Sequence, residues 1–254
     1  MLTALAFFSF AVALPSKRGL SEPVTPSMAQ YYCEDLKANA ALTWSYSWGL
    51  SPPNISCGPT ANFEPMFWGE KSILNASLFY SVSATHVLGF NEPNVKGQSN
   101  LTPTQAAKLW SVVEGHAKAA NLKIVAPVPS GRDTQWLVQF FQACGGCEGR
   151  IDVIALHPYD CDGEGLKASL AAYSVFDKPL WVTEFNCGDG SRNASSAEHL
   201  AYMKIALPIL DEDPRVERYA WMSGRDSKVP GAALFSGNSL TELGRFYTTP
   251  QQTM

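Results

Sequence analysis

Val87-Leu88-Gly89-Phe90-Asn91-Glu92-Pro93-Asn94 is an apolar run that ends in a carboxylate, with a carboxamide before it and a proline behind. A second run of the same form lies far downstream, at Leu180-Trp181-Val182-Thr183-Glu184-Phe185-Asn186. Each reads as a strand apolar on both faces, the pattern of a parallel sheet covered by helices. Each also delivers one glutamate at its C-terminal end. The fold is decided by whether the chain around these two runs keeps alternating strand and helix.

It does. The run at 85–91 counts as a fourth strand. Thr102 then offers an N-cap, Pro103 the first helical position and Gln105 a capping box, and Ala106, Leu109, Trp110 and Val113 follow at helical spacing to about Ala120. A fifth strand is expected over 122–127 with a helix over 133–143, then a sixth strand over 151–157 and a seventh over 180–184. The helix expected over 195–210 contains Pro208, which predicts a break or kink. An eighth strand is expected over 217–222. Upstream lie a helix over 71–81, a third strand over 63–68 that Pro65 makes awkward, and a second strand over 41–46. Thr25-Pro26 opens an earlier helix. Lys17-Arg18-Gly19-Leu20-Ser21 is counted as the first strand because the alternation needs one there. Eight such units predict an α/β fold, a single (β/α)8 TIM barrel. An open doubly wound sheet would want a glycine-rich phosphate turn, and neither G-x-G-x-x-G nor G-x-x-x-x-G-K-[ST] occurs.

Composition agrees with one barrel-sized domain: 254 residues, 46% hydrophobic and 17% charged. A net charge of −4 argues against nucleic acid or an anionic membrane as partner. Met1 to Ala13 is almost wholly apolar and closes on Ala11-Val12-Ala13, a small-x-small cleavage pattern. The expectation is a signal peptide over 1–13, a catalytic domain over 14–254, no membrane anchor, and a secreted, extracellular or cell-wall location. The protein is expected to be a monomer. Six cysteines suit an oxidising compartment, and Cys144-Gly145-Gly146-Cys147 reads as a local disulfide. Cys161 and Cys187 follow neighbouring strands and are placed to pair, which leaves Cys33 with Cys57. Four sequons begin at Asn54, Asn75, Asn100 and Asn193.

In a barrel of this kind the chemistry lies at the C-terminal ends of the strands. Glu92, His157, Tyr159 and Glu184 all fall there. A pair of carboxyls across one mouth can hydrolyse a glycosidic bond, one as acid/base and one as nucleophile. Either glutamate alone could equally cap the next helix. Asn91 is placed to hold a sugar hydroxyl or the nucleophile, and Tyr159 to donate to Glu184. His157 has no H-x-H or H-E-x-x-H spacing around it, so a hydrogen bond to sugar or carboxylate is expected and no metal or cofactor is. Trp44, Tyr46, Trp48, Trp68 and Trp221 lie at or near strand ends, some as stacking platforms for sugar and the rest as barrel core.

Phe90-Asn91-Glu92-Pro93 with Trp181-Val182-Thr183-Glu184-Phe185 resembles glycoside hydrolase clan A. Lys17-Arg18-Gly19-Leu20, Trp44-Ser45-Tyr46-Ser47-Trp48, Pro65-Met66-Phe67-Trp68-Gly69 and the tail Ser239 to Arg245 are, more closely, similar to glycoside hydrolase family 128. The resemblance covers nearly all of 14–254. It implies a retaining endo-β-1,3-glucanase acting on β-1,3-glucan, with Glu92 as acid/base and Glu184 as nucleophile. Two positions depart from the family pattern: Pro158 follows His157 where an aromatic is frequent, and Asn94 stands where aspartate is common. Both bear on which glucan is gripped rather than on the two glutamates. The rival readings are a carbohydrate-binding protein on an inactive barrel, or another clan A glycanase acting on β-1,6-glucan, mannan or xylan.

Overall fold

The computed structural model describes residues 16–21, 41–52, 62–79, 81, 84–188, 191–224, 229, 231–237 and 239–249. The expected signal peptide, the helix opened by Thr25-Pro26, Cys33, Cys57 and the sequon at Asn54 lie outside these residues. Eight strands follow in the predicted order: β1 Arg18–Ser21, β2 Trp44–Tyr46, β3 Asn62–Phe63, β4 His86–Leu88, β5 Lys123–Val125, β6 Ile154–Leu156, β7 Leu180–Phe185 and β8 Val216–Trp221. Six of them form one parallel sheet in the order β3-β2-β1-β8-β7-β6, and β4 pairs with β5. Isolated parallel bridges, Met66 with Leu88 and Val125 with Val153, carry the pairing across both gaps. The strands therefore run in sequence around a single (β/α)8 barrel.

The gap beside β3 has a local cause. Pro65 has no N–H to donate, so the ladder stops after Phe63, though its carbonyl still accepts from Leu88 at 2.8 Å. The third strand is thus much shorter than the expected 63–68. Alternation along the strands sorts two apolar layers. Trp44, Tyr46, Met66, Leu88, Val125, Val153, Ala155, Trp181 and Ala220 fill the barrel interior. Val87, Ile154, Leu156, Leu180 and Val182 face outward into the layer shared with the helices. Both faces are apolar because both are covered.

The helices around the barrel are α1 Glu70–Leu74, α2 Pro103–Ala120, α3 Thr134–Ala143, α4 Gly163–Ala172, α5 Ser196–Glu212 and α6 Glu242–Thr248. The capping box of Thr102 and Gln105 forms as expected. Three expectations need correction. The helix over 71–81 is α1 followed by a short 3-10 turn, Ala76–Leu78, with Asn75 between them. Helix α5 runs unbroken through Pro208, held on both sides of it by the buried Met203, Ala206, Leu207 and Leu210. The helix after β6 has no counterpart among the expected elements. Gly163 and Gly165 in its first turn weaken the sequence signal, and the Asp162 side chain starts it by accepting from Gly165 N at 2.7 Å. A small hairpin, β9 Phe235–Ser236 with β10 Ser239–Leu240, leads into α6.

Candidate active site

Glu92 and Glu184 meet at one end of the barrel, beyond β4 and near the end of β7. Both are buried, at 8% and 5% exposure. One oxygen of each and a ring nitrogen of His157 all lie within 4.8 Å of one another. Backbone geometry delivers Glu92: its N–H donates to Val128 O at 2.8 Å, tying the end of β4 to the chain beyond β5. Its φ is +40°, a conformation that costs a non-glycine residue energy and gathers at functional sites. Trp48, at φ +53°, is a second such residue in the same place.

Glu184 is held by three aromatic side chains. Trp48 Nε1 donates to its Oε1 at 2.8 Å, Tyr46 OH reaches the same oxygen at 3.4 Å, and Tyr159 OH donates to Oε2. Burial raises both phenols well above their ordinary range, and the charge on Glu184 raises them further. Both therefore stay protonated and act as donors. Three donors from three side chains fix the position of this one carboxyl.

His157 sits between the two acids. Its Nδ1 lies 3.1 Å from Oε1 of Glu92 and its Nε2 lies 3.0 Å from Oγ1 of Thr183, with Oε1 of Glu184 at 3.7 Å. Burial lowers its affinity for a proton, but the charge of Glu184 and the hydrogen bond and charge of Glu92 outweigh it and hold the imidazole above its usual value. Both ring nitrogens are engaged with neighbours, so His157 belongs to a network of shared protons. Thr183, one residue before Glu184, lies inside the run that the sequence singles out, but no role attaches to it there. Strand alternation signals it, since it points into the barrel as Trp181 does.

The cleft over these residues has a volume of about 480 Å³ and is lined by Trp48, Trp68, Asn91, Gln98, Ser130 and Tyr159 beside the two glutamates. Asn91 donates to Gln98 at 3.3 Å rather than to Glu184, and its buried Oδ1 has no partner among the described residues. Gln98 lies in a turn with no sequence signal pointing to it. Of the five aromatics, Trp48 and Trp68 reach the cleft. Trp44 and Trp221 do not: both are fully buried. Trp44 packs 5.1 Å from Trp181 inside the barrel, and Trp221 faces the helix layer and donates to Ala232 O. Tyr46 offers no face to a sugar, but its hydroxyl does reach the acid.

Two disulfides occur among the described residues, Cys144–Cys147 and Cys161–Cys187, both as expected. The second joins the loop carrying Tyr159 to the loop that follows Glu184 at the end of β7. Asn94 links two loops at the rim, accepting from Ser130 N at 2.8 Å and donating to Asp133 at 3.1 Å. No described helix is long and apolar enough to cross a membrane.

The glycosyl hydrolase catalytic core family matches residues 26–247 of this chain. Alkali-sensitive linkage protein 1 of Schizosaccharomyces pombe is 30% identical over 249 residues, covering 92% of this chain. The chain spans 45% of that curated relative's length. An endo-β-1,3-glucanase of subgroup II in glycoside hydrolase family 128, from Sorangium cellulosum, superposes with a TM-score of 0.78 at 32% identity, over 93% of this chain and 100% of that one. A subgroup I endo-β-1,3-glucanase from Amycolatopsis mediterranei was solved as a glutamate-to-alanine variant bound to laminaripentaose. It gives a TM-score of 0.79 at 28% identity, over 92% of this chain and 98% of that one.

Proposed function

The chain belongs to glycoside hydrolase family 128, and from that premise we propose that it is a secreted endo-β-1,3-glucanase that cleaves with retention of configuration. One observation carries the reading: two buried carboxyls at one mouth, with oxygens within 4.8 Å and a shared histidine. Carboxyls about 5–5.5 Å apart suit a double displacement, whereas inversion needs about 6.5–9.5 Å to admit a water. The glucan-cleaving relatives supply the substrate class.

Glu92 gives its proton to the glycosidic oxygen while Glu184 attacks the anomeric carbon, so the bond to the leaving sugar breaks as the glycosyl-enzyme forms. Water then enters on the same face, Glu92 takes its proton, and Glu184 leaves. Tyr46, Trp48 and Tyr159 hold Glu184 aimed at the anomeric carbon. His157 orients Glu92 and shares its proton. Trp48 and Trp68 offer faces to sugar rings, and Asn91 Oδ1 accepts from a sugar hydroxyl. The leader over 1–13, the disulfides and the sequons support secretion, the partner is a polysaccharide, and the working form is a monomer.

The test is a panel of laminarin, pustulan, mannan and xylan, with the anomer of the first product followed by NMR. Laminarin alone should be cut, giving β-configured product first. Glu184→Ala should abolish turnover, with azide restoring some as the α-glycosyl azide. Glu92→Ala should hurt less on substrates with good leaving groups, with azide giving the β-product. Binding of laminarin without cleavage would place the chain among inactive barrels, and an exchange of the two azide outcomes would reverse the roles.

A further inference from the structure

Leu74 and Leu78 stand 79% and 62% exposed, one turn apart on the stretch from α1 into its 3-10 turn. Their direction is fixed from the other side. Ile73, Ala76 and Phe79 pack on the core, with Phe79 stacked 5.6 Å from Phe67 and 4.9 Å from the His116 ring. Among the described residues no other element carries two large apolar side chains so exposed. Single exposed leucines are ordinary, but adjacent ones mark a surface that something covers. Between them lies the sequon Asn75-Ala76-Ser77, with Asn75 and Ser77 both exposed.

We propose that Asn75 carries an N-linked glycan whose first sugars lie over Leu74 and Leu78. The amide Nδ2 attacks C1 of a lipid diphosphate-linked oligosaccharide. The N–C1 bond forms, the C1–O bond to the diphosphate breaks, and the lipid diphosphate leaves as the transferase takes the amide proton. The folded geometry accepts the product. Nδ2 spends one N–H on Lys71 O at 2.7 Å, and a glycosylated amide retains one N–H. The apolar faces of the first sugar rings and their N-acetyl methyls match the two leucines, while the hydroxyl faces meet water. The other described sequons lack this setting. Asn100 is followed by Leu101, buried at 5%, and Asn193 by Ala194, also buried at 5%. The inference rests on the chain passing through a secretory pathway but not on its hydrolysing glucan.

The test expresses the full chain behind a yeast secretion leader, so that export does not depend on residues 1–13, and maps glycopeptides. Asn75 should be occupied. Asn75→Gln and Ser77→Ala should each lose that glycan, while Ser77→Thr keeps it. Both losing variants should bind more of a hydrophobic dye and self-associate, with laminarin cleavage unchanged. Adding Leu74→Ser and Leu78→Ser to Ser77→Ala should reverse the dye binding and the association. An unoccupied Asn75 in the exported chain overturns the proposal. So does an occupied Asn75 whose loss leaves dye binding and association as they were.

Discussion

Glu184 takes donors from three aromatic side chains that come from two different loops and a strand, so its position is shared among elements that no local pattern connects. Trp48 and Tyr159 are the informative pair because each can lose its donor and keep its ring. Trp48→Phe and Tyr159→Phe should each lower kcat roughly 10-fold or more, since a hydrogen bond to a charged group contributes about 1.5–3 kcal/mol. KM should move little in Tyr159→Phe, because its hydroxyl holds the acid. A KM that rose while kcat held would reassign Tyr159 to sugar binding. The two glutamates are legible in the sequence because each ends an apolar run at a strand terminus. The aromatics are not separable there. Trp44 and Trp48 lie four residues apart in one motif, yet one is sealed against Trp181 and the other reaches Glu184.

Strand β4 brings Glu92 close to β5 only because Gly89 has no side chain. A Cβ there would lie 2.7 Å from the backbone nitrogen of Pro127, which cannot step aside. Gly89→Ala should cost roughly 1–3 kcal/mol as an overpacked contact. It should also lower kcat in the folded fraction, since Glu92 follows three residues later. Unchanged melting and activity would show that β4 can shift freely. The Cys161–Cys187 bridge, with a sequence separation of 26, acts at the same scale. Replacing both with serine should cost roughly 2–4 kcal/mol by releasing the unfolded chain. It should also weaken Tyr159 against Glu184, seen as a lower kcat well below the melting temperature. Elements with strong local signals are readable from their own residues: α2 from its capping box, β7 from its apolar run. Where tertiary contacts decide, the sequence is silent. Helix α4 begins on two glycines that blur its local signal, whereas the early end of β3 is signalled locally by Pro65. The single bridges that complete the ring are likewise a product of packing.

Near the N-terminal ends of the strands the barrel is plugged by charge rather than by hydrocarbon alone. Glu64, with no exposure, accepts from Arg218 at 2.5 Å and from Thr85 and His86 backbone N–H groups at 2.9 and 2.7 Å. Arg218 lies against the rings of Trp181 and Trp44 at 4.5 and 5.5 Å, and the His86 ring packs 4.5 Å from Trp181. Burial first, then the positive charges of Arg218 and Lys123, push the His86 imidazole down to about 3. Glu64 is only 4.0 Å from its Nδ1 but is already neutralised by Arg218. His157 at the opposite mouth is shifted the other way. The signs follow from linkage: stability rises with pH wherever the unfolded chain binds more protons. For His86 the unfolded chain binds more between about 3 and about 6.5, so its contribution is complete above pH 6.5 and is lost as pH falls through that window. For His157 the folded protein binds more above about 6.5, so its contribution is complete below that pH and is lost as pH rises through the raised folded value. The two histidines together place the maximum of their joint contribution near pH 6.5, with limbs of separate origin. Melting temperature measured from about pH 3 to about pH 9 should fall on both sides. His86→Leu should flatten the acid limb and leave the alkaline one, His157→Gln should do the reverse, and the double variant should flatten both. An acid limb that kept its slope in His86→Leu would mean that the plug is not what acid attacks, and that protonated carboxylates elsewhere are.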